Sequence, residues 1–180
     1  MKITRPIRAV LFDMDGVMVD SEFVYMKYLL EFAKEKNPTV KMEDINPMVG
    51  RSRQDSWTVM EQAVNNGENW ETLIREWADR DIYSQIDYRK IFRPEMKTTV
   101  QELKRRGYIV ALVSSTGPKL ISRIVEEVGM RPEFDLIVSG KQFKQSKPNP
   151  EIYHYTANIL GVREDECFVV EDSTVGIEAA

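Results

Sequence analysis

Four short, uninterrupted apolar runs set the tightest limit on how this chain can fold. They are rich in β-branched residues and cover Ala9–Phe12, Tyr108–Val113, Leu136–Val138 and Cys167–Val170. Because apolar and polar residues do not alternate within them, the runs predict strands buried on both faces, as in a parallel sheet.

Helical patterns separate the later runs. Residues 118–128 carry apolar side chains at helical spacing between Gly117-Pro118 and Gly129, and a second helix is predicted from Asn149-Pro150 to Gly161. Strands that alternate with helices predict a doubly wound, Rossmann-like α/β core with a parallel sheet.

The first and second runs are separated by an excursion of roughly 80 residues, much longer than a usual connection. It contains apolar stripes at helical spacing, formed by Phe23, Met26, Leu30 and Ala33, then by Trp57, Met60 and Val64, and then by Leu73 and Trp77. We therefore predict a helical domain at residues 20–93, inserted into a core made of residues 1–19 and 94–180.

Composition narrows the possible partners and compartment. The net charge of −4 does not favour nucleic acid or an anionic membrane surface as a partner, and no apolar stretch reaches transmembrane length. A single cysteine, Cys167, allows no internal disulfide, which suits a reducing compartment. We expect a cytoplasmic protein.

Polar residues stand where the predicted strands end. Asp13, Ser114 and Glu171-Asp172 follow the first, second and fourth runs, and Lys147 lies in the loop after the third run. Ligands of open parallel sheets bind beyond the carboxyl ends of the strands, so these side chains are expected to converge. Carboxylates suit Mg²⁺, whereas a lysine and a hydroxyl suit a phosphate group.

Four sequence motifs, in their order along the chain, resemble those of the haloacid dehalogenase superfamily. The residues within them are similar to those of its β-phosphoglucomutase-like subgroup. The motifs are Phe12-Asp13-Met14-Asp15-Gly16-Val17, Val113-Ser114-Ser115-Thr116, Ser146-Lys147-Pro148 and Val170-Glu171-Asp172-Ser173. The resemblance implies a Mg²⁺-dependent phosphatase that acts on a small phosphorylated metabolite through an aspartyl phosphate.

The resemblance also implies a role for each aspartate of the first motif. Asp13 would attack phosphorus, a known role of carboxylates. Asp15 would protonate the leaving oxygen and later activate water. The spacing is compatible with these roles, because residues two apart on an extended strand end have their side chains on the same side.

The remaining motifs would hold the phosphate and the metal. Ser114 and the next backbone amides, beginning with Ser115, would bind the phosphoryl oxygens, and Lys147 would neutralise charge on the nucleophile and the phosphate. The resemblance implies a metal site formed by Asp13, the backbone carbonyl of Asp15, Glu171 and Asp172, in which Glu171 either binds the metal directly or supports the other ligands. Thr116 is interpreted as a cap or turn residue.

In this family the inserted helical domain is a cap that carries substrate specificity. The segment from Gly50 to Ser56 resembles the substrate loop of the subgroup. By that resemblance Arg53 would bind a second anionic group on the substrate, although a solvated arginine near a helix start is the simpler alternative.

Two other functions stay open. In the sugar-phosphate mutases of the subgroup a histidine of the first cap helix helps to control the second aspartate, and Tyr25 stands at that position here. This departure favours hydrolysis over a mutase reaction. A non-catalytic binding protein with the same fold is the third possibility, and the complete set of catalytic residue types argues against it.

The last motif lies close to the end of the sequence, with only Ser173–Ala180 after it. Relatives in the family continue with the rest of that helix, a further strand and usually a final helix. We therefore expect a core truncated at the C-terminus, with a partly uncovered sheet edge that favours association. A monomer or a weak homo-oligomer is expected.

Overall fold

The computed structural model describes residues 6–49 and 51–180, which fall into two compact units. The core unit comprises Met1–Ser21 and Asp87–Ala180, and the helical unit comprises Glu22–Ile86. Gly50, the first residue of the predicted substrate loop, lies outside the described residues, so that loop is described only from Arg51 onward.

The strands and helices follow one another in an α/β order. The strands are β1 (Ala9–Phe12), β2 (Ile109–Ser114), β3 (Leu136–Ser139) and β4 (Cys167–Val170). The helices are α1 (Ser21–Lys36), α2 (Met42–Ile45), α3 (Arg53–Val64), α4 (Trp70–Ala78), α5 (Ile82–Gln85), α6 (Glu95–Arg105), α7 (Pro118–Glu127), α8 (Glu151–Leu160) and α9 (Thr174–Ala179). Each strand begins and ends within one residue of a predicted apolar run.

The four strands form one parallel sheet in the order β3-β2-β1-β4. Helices α7 and α8 pack against β3, and α6 and α8 pack against β2. The prediction of a doubly wound parallel sheet is therefore confirmed. Phe12 lies beside both Leu112 and Val170 in the register, so the segments after β1, β2 and β4 leave the sheet at the same edge.

Burial differs between the middle and the edge of this sheet. Every residue of β1 is buried, whereas Phe168 in β4 is 46% exposed. The prediction of strands buried on both faces is thus wrong for β4. The physical reason is its place at the end of the strand order, where only β1 pairs with it among the described residues.

The ends of the core helices follow the predicted signals. Gly117 precedes α7 and Pro118 is its first residue, a position where the missing N–H of proline costs nothing. Gly161 ends α8 in the left-handed conformation (φ 65°), which glycine adopts without a steric penalty. These helix ends fix where the loop after β2 ends and where the loop before β4 begins.

The helical unit has an apolar core of its own. Its centre is aromatic, and the rings of Phe32 and Trp77 meet edge to face with centroids 5.6 Å apart. The predicted stripes of α3 and α4 are buried as expected. The stripe of α1 is wrong at Phe23, which is 67% exposed because it lies in the first turn, before the packed part that begins at Tyr25.

Among residues 6–49 and 51–180, none of the helices combines the length and the apolar character needed to cross a membrane.

Candidate active site

Three strand ends and one loop bring the predicted polar residues of the core unit together. Asp13 follows β1, and its backbone N–H donates to the Val170 carbonyl at 2.9 Å, which ties the ends of β1 and β4 to each other. Ser114 is the last residue of β2, and Lys147 arrives from the loop between β3 and α8. The expected convergence at the carboxyl edge of the sheet is present in the structure.

Lys147 is the centre of this cluster. Its Nζ donates to Asp13 Oδ1 and to Glu171 Oε1, each at 2.6 Å, and its side chain is only 4% exposed. The same Nζ lies 3.4 Å from the Val113 carbonyl oxygen and 5.1 Å from the centroid of the Tyr153 ring. One ammonium group therefore joins two carboxylates in a site that excludes most water.

Burial and ion pairing shift the pKa values of these three groups in different directions. Burial raises the pKa of Asp13 to about 7, and the nearby Lys147 ammonium reduces this effect without cancelling it. Burial alone would lower the pKa of Lys147, but the Asp13 and Glu171 carboxylates outweigh it and raise that pKa. Burial also opposes ionisation of Glu171, yet the Lys147 hydrogen bond lowers its pKa overall.

Three carboxylates form a cluster with the donor chemistry of a magnesium site. Asp13, Glu171 and Asp172 each offer an oxygen, and these oxygens lie within 4.8 Å of one another. Mg²⁺ prefers such hard ligands and binds through a few carboxylates while keeping several waters. Burial, and then the neighbouring Glu171, raise the pKa of Asp172, which is expected for acids that share a cation site before the cation binds.

Gly16 lets this cluster form. Its φ of +79° lies in the region that favours glycine. A Cβ atom at this position would also lie 1.8 Å from Asp172 Oδ2, so any larger residue would displace that carboxylate. The glycine of the first motif thus allows both the turn after β1 and the close approach of the fourth motif.

The Asp15 carboxylate accepts hydrogen bonds from hydroxyl groups. Ser21 Oγ donates to Asp15 Oδ1 at 2.6 Å, and Thr116 Oγ1 donates to Asp15 Oδ2 at 2.8 Å. Ser114 Oγ lies 3.5 Å from the same Oδ2, at the limit of a hydrogen bond. The two aspartates of the first motif therefore have different surroundings, one beside a lysine and the other among hydroxyls.

The two serines that follow β2 differ in exposure. Ser114 is fully buried and its Oγ accepts from the Thr116 N–H at 3.0 Å, whereas Ser115 is exposed. A hydroxyl beside Asp15 and an exposed residue at position 115 suit the predicted binding of phosphoryl oxygens, which stays a prediction.

Arg53 and Tyr25 belong to the helical unit. Arg53 is exposed and opens α3, whose first turn is capped by the Ser52 hydroxyl accepting from the Asp55 N–H at 3.2 Å. The Tyr25 hydroxyl accepts from Trp77 Nε1 at 3.0 Å, and burial raises the pKa of this tyrosine. Tyr25 is thus a packed, neutral aromatic residue, unlike the histidine that a mutase has there by resemblance.

Ser21 and Thr116 both contact Asp15; the sequence interpretation missed the first and gave the second another role. Thr116 was expected to be a cap or turn residue, and no role was predicted for Ser21. The available signal was their placement: Thr116 lies two residues after Ser114, and Ser21 lies six residues after Asp15. Hydroxyls that close to a strand end can reach its carboxylates.

Comparison with known proteins agrees with the geometry. A family model described as haloacid dehalogenase-like hydrolase matches residues 10–180. The chain is 27% identical over 177 residues to a phosphorylated carbohydrates phosphatase of Thermotoga maritima, covering 97% of this chain and 80% of that protein. It is 26% identical over 182 residues to hexitol phosphatase B of Escherichia coli K12, covering 100% of this chain and 82% of that protein.

The fold also resembles that of solved structures. A β-phosphoglucomutase from Clostridium difficile superimposes with a TM-score of 0.67 at 23% identity, covering 96% of this chain and 79% of that one. At this identity the likeness concerns the fold alone.

Proposed function

Because the chain belongs to the haloacid dehalogenase-like hydrolases, we propose that it is a Mg²⁺-dependent phosphatase that hydrolyses a small phosphorylated metabolite through an aspartyl phosphate on Asp13. As a class, it is a phosphoric monoester hydrolase. The observation that carries the proposal is the buried contact between Lys147 and Asp13, beside the Asp172 carboxylate.

That contact supplies what a carboxylate nucleophile needs. The Lys147 ammonium holds one oxygen of Asp13 in place at 2.6 Å. It also lowers the repulsion between the Asp13 carboxylate and an incoming phosphate dianion. In phosphoryl transfer most of the catalysis comes from such positioning and charge stabilisation.

The reaction has two steps on this chain. In the first, an Asp13 oxygen bonds to phosphorus as the bond from phosphorus to the ester oxygen breaks, and the Asp15 carboxyl gives its proton to the departing oxygen. In the second, the Asp15 carboxylate takes a proton from water, the water oxygen bonds to phosphorus and the bond to Asp13 breaks. Inorganic phosphate leaves, and both aspartates return to their starting states.

The acidic cluster is the place for the metal. Asp13, Glu171 and Asp172 would hold Mg²⁺ through their side chains, and the backbone carbonyl of Asp15 is a fourth proposed ligand. Bound Mg²⁺ supplies positive charge that stabilises the phosphoryl oxygens as charge develops on them. Ser114 and the amide of Ser115 bind other phosphoryl oxygens in this proposal.

Hydrolysis is preferred over a mutase reaction because of Tyr25. Its hydroxyl accepts a hydrogen bond from Trp77 and its pKa is raised, so it offers no ionisable group near neutral pH to control Asp15. The relatives named phosphorylated carbohydrates phosphatase and hexitol phosphatase B support a phosphorylated sugar or sugar alcohol as the substrate. Arg53 would bind a second anionic group where the substrate has one.

A phosphate-release screen with the full chain and Mg²⁺ tests this function. The panel contains sugar phosphates, sugar-alcohol phosphates, nucleotides and other small phosphorylated metabolites, with nuclear magnetic resonance of the products to detect isomerisation. We expect free phosphate from at least one sugar or sugar-alcohol phosphate, and none from Asp13→Asn or after chelation of Mg²⁺. An isomerised sugar phosphate would support the mutase, and substrate binding without turnover would support a non-catalytic protein.

A further inference from the structure

The Asp15 carboxylate is held at both of its oxygens by hydroxyl groups from two different segments. Ser21 Oγ donates to Oδ1 at 2.6 Å and Thr116 Oγ1 donates to Oδ2 at 2.8 Å. The terminal torsion of an aspartate is broad, so an unrestrained carboxylate would rotate over a wide range. Two short hydrogen bonds, one at each oxygen, therefore fix the orientation of the Asp15 carboxylate.

Thr116 is itself fixed by the residues around it. Its N–H donates to Ser114 Oγ at 3.0 Å, and its carbonyl accepts from Ser139 Oγ at 2.6 Å. These bonds tie the backbone of Thr116 to the ends of β2 and β3. The Thr116 hydroxyl therefore approaches Asp15 from a rigid support and loses little conformational freedom when it donates.

Ser21 is fixed by the turn that follows Asp15. Gly16 N–H donates to the Val19 carbonyl at 2.8 Å, and Asp20 N–H donates to the Ile91 carbonyl at 2.8 Å. The chain thus doubles back within six residues and places Ser21, the first residue of α1, beside Asp15. Ser21 still belongs to the core unit, so the contact with Asp15 lies within one compact body.

We propose that Thr116 and Ser21 are positioning residues that orient the Asp15 carboxylate for proton transfer, a proposal that rests on the phosphatase function above. Neither hydroxyl contacts the reacting atoms in this scheme, and each acts through Asp15. A general acid or base must lie within hydrogen-bond reach of the atom to which it gives, or from which it takes, a proton. A carboxylate that rotates away from this position would transfer the proton more slowly. Lys147 makes no such contact with Asp15, so the hydroxyls provide the support.

A positioning role changes the rate of proton transfer by Asp15 without changing the rate of attack by Asp13, whereas a general structural defect would lower both rates. Loss of the Thr116 hydroxyl should slow the steps in which Asp15 moves a proton, but it should leave attack by Asp13 on an ester with a good leaving group nearly unchanged. An aryl phosphate such as p-nitrophenyl phosphate needs little help from an acid, so its first step reports on Asp13 alone. Hydrolysis of the phosphoenzyme needs Asp15 as a base and should slow.

The test compares Thr116→Val, which keeps the branched shape and removes the hydroxyl, with Thr116→Ser, which keeps the hydroxyl. For Thr116→Val we expect kcat with an alkyl phosphate to fall about tenfold to a hundredfold, with KM nearly unchanged. A misoriented Asp15 should lose only part of the roughly 10²–10⁴-fold contribution of general acid–base catalysis. With p-nitrophenyl phosphate a pre-steady-state burst should appear, because the phosphoenzyme accumulates. Thr116→Ser should restore most of kcat, and Ser21→Ala combined with Thr116→Val should approach Asp15→Asn.

Thr98→Val is the matched control. The Thr98 hydroxyl donates to the Glu95 carbonyl at 2.9 Å on the exposed face of α6, so its loss removes the same group away from the site. If wild type turns over but Thr116→Val matches Thr98→Val, the positioning role is wrong. A rise in KM without a burst would instead make Thr116 a phosphate-binding residue and also overturn the proposal. If wild type itself releases no phosphate with any ester, the proposed function fails first.

Discussion

Lys147 Nζ lies 2.6 Å from Asp13 Oδ1, and both side chains are almost fully removed from solvent. The second carboxylate on the same ammonium group, that of Glu171, makes the cluster net negative before any metal binds. A buried cluster of this kind is sensitive to the loss of the Lys147 ammonium, because the Asp13 and Glu171 carboxylates would lose the charge that compensates them.

We therefore expect Lys147→Met to lower the free energy of unfolding by roughly 3–5 kcal/mol in the absence of Mg²⁺. The loss should depend on pH, because burial already raises the pKa of Asp13 to about 7, against 3.8 for an ordinary aspartate. A carboxyl with a raised pKa in the folded state contributes most stability at low pH and loses it as the pH rises through the folded value. Removing the Lys147 ammonium raises the folded-state pKa of Asp13 further, so the variant continues to lose stability above pH 7, where this loss in wild type is nearly complete. The difference in the free energy of unfolding between variant and wild type should therefore widen above pH 7.

Urea denaturation at pH 6 and pH 8 measures this difference. Lys104→Met is the matched control, because Lys104 pairs with Asp135 at 3.0 Å in the core unit but is one-third exposed. Such a surface pair contributes about 0–1 kcal/mol. Equal losses of stability for the two variants at both pH values would contradict the importance of the buried cluster.

Mg²⁺ affinity should also depend on pH. Asp13 must lose its proton to bind the metal, and a pKa of about 7 means that this proton is still partly bound at neutral pH. For one such proton, the affinity should rise about tenfold between pH 6 and pH 8. Calorimetry in two buffers of different ionisation enthalpy should detect proton release on binding, with a smaller pH dependence in Asp13→Asn. A constant affinity with no proton release would argue against Asp13 as a ligand.

The sheet could be predicted from the sequence because each strand is a continuous apolar run bounded by polar residues. What the runs could not give was the order of the strands. β1 and β4 have equally apolar sequences, yet the first lies in the middle of the sheet and the second at its edge, where Phe168 is 46% exposed. Burial depends on neighbours that are distant in the sequence, and a local pattern does not contain them.

The site was predictable to a similar degree. Because the carboxyl ends of parallel strands meet at one edge, Asp13, Lys147 and Glu171 could be expected to converge, and the structure brings them into contact. For the hydroxyl contacts of Asp15 the sequence offered only the placement of Ser21 and Thr116 in the chain, because the contacts themselves depend on how two turns position these residues. Hydroxyls are also common helix caps, so the sequence alone favours that simpler interpretation.

The contrast between the two aspartates gives a kinetic prediction for Asp15→Asn. This change removes the acid and base but leaves Asp13 beside Lys147, so phosphoenzyme formation from an aryl phosphate should continue. Steady-state release of phosphate from an alkyl phosphate should fall by roughly 10²–10⁴-fold. Rapid-quench measurement of the phosphoenzyme separates the two rates. Asp20→Asn, the same change at an exposed position five residues later, should have no effect, and unchanged alkyl phosphate turnover in Asp15→Asn would contradict its role.

Arg53 offers a test of the proposed substrate recognition by the helical unit. Charge-assisted hydrogen bonds contribute about 1.5–3 kcal/mol, so Arg53→Ala should raise KM about 10- to 100-fold for substrates with a second anionic group. Simple phosphate monoesters should be affected little, and stability should be unchanged, because Arg53 is exposed and alanine suits the first turn of α3. Arg51→Ala, at an exposed arginine two residues earlier, is the matched control. Steady-state measurement of KM for one substrate with a second anionic group and one without it tests this prediction. Equal changes in KM for both types would mean that Arg53 does not bind the second anionic group and is a solvated residue at the start of the helix.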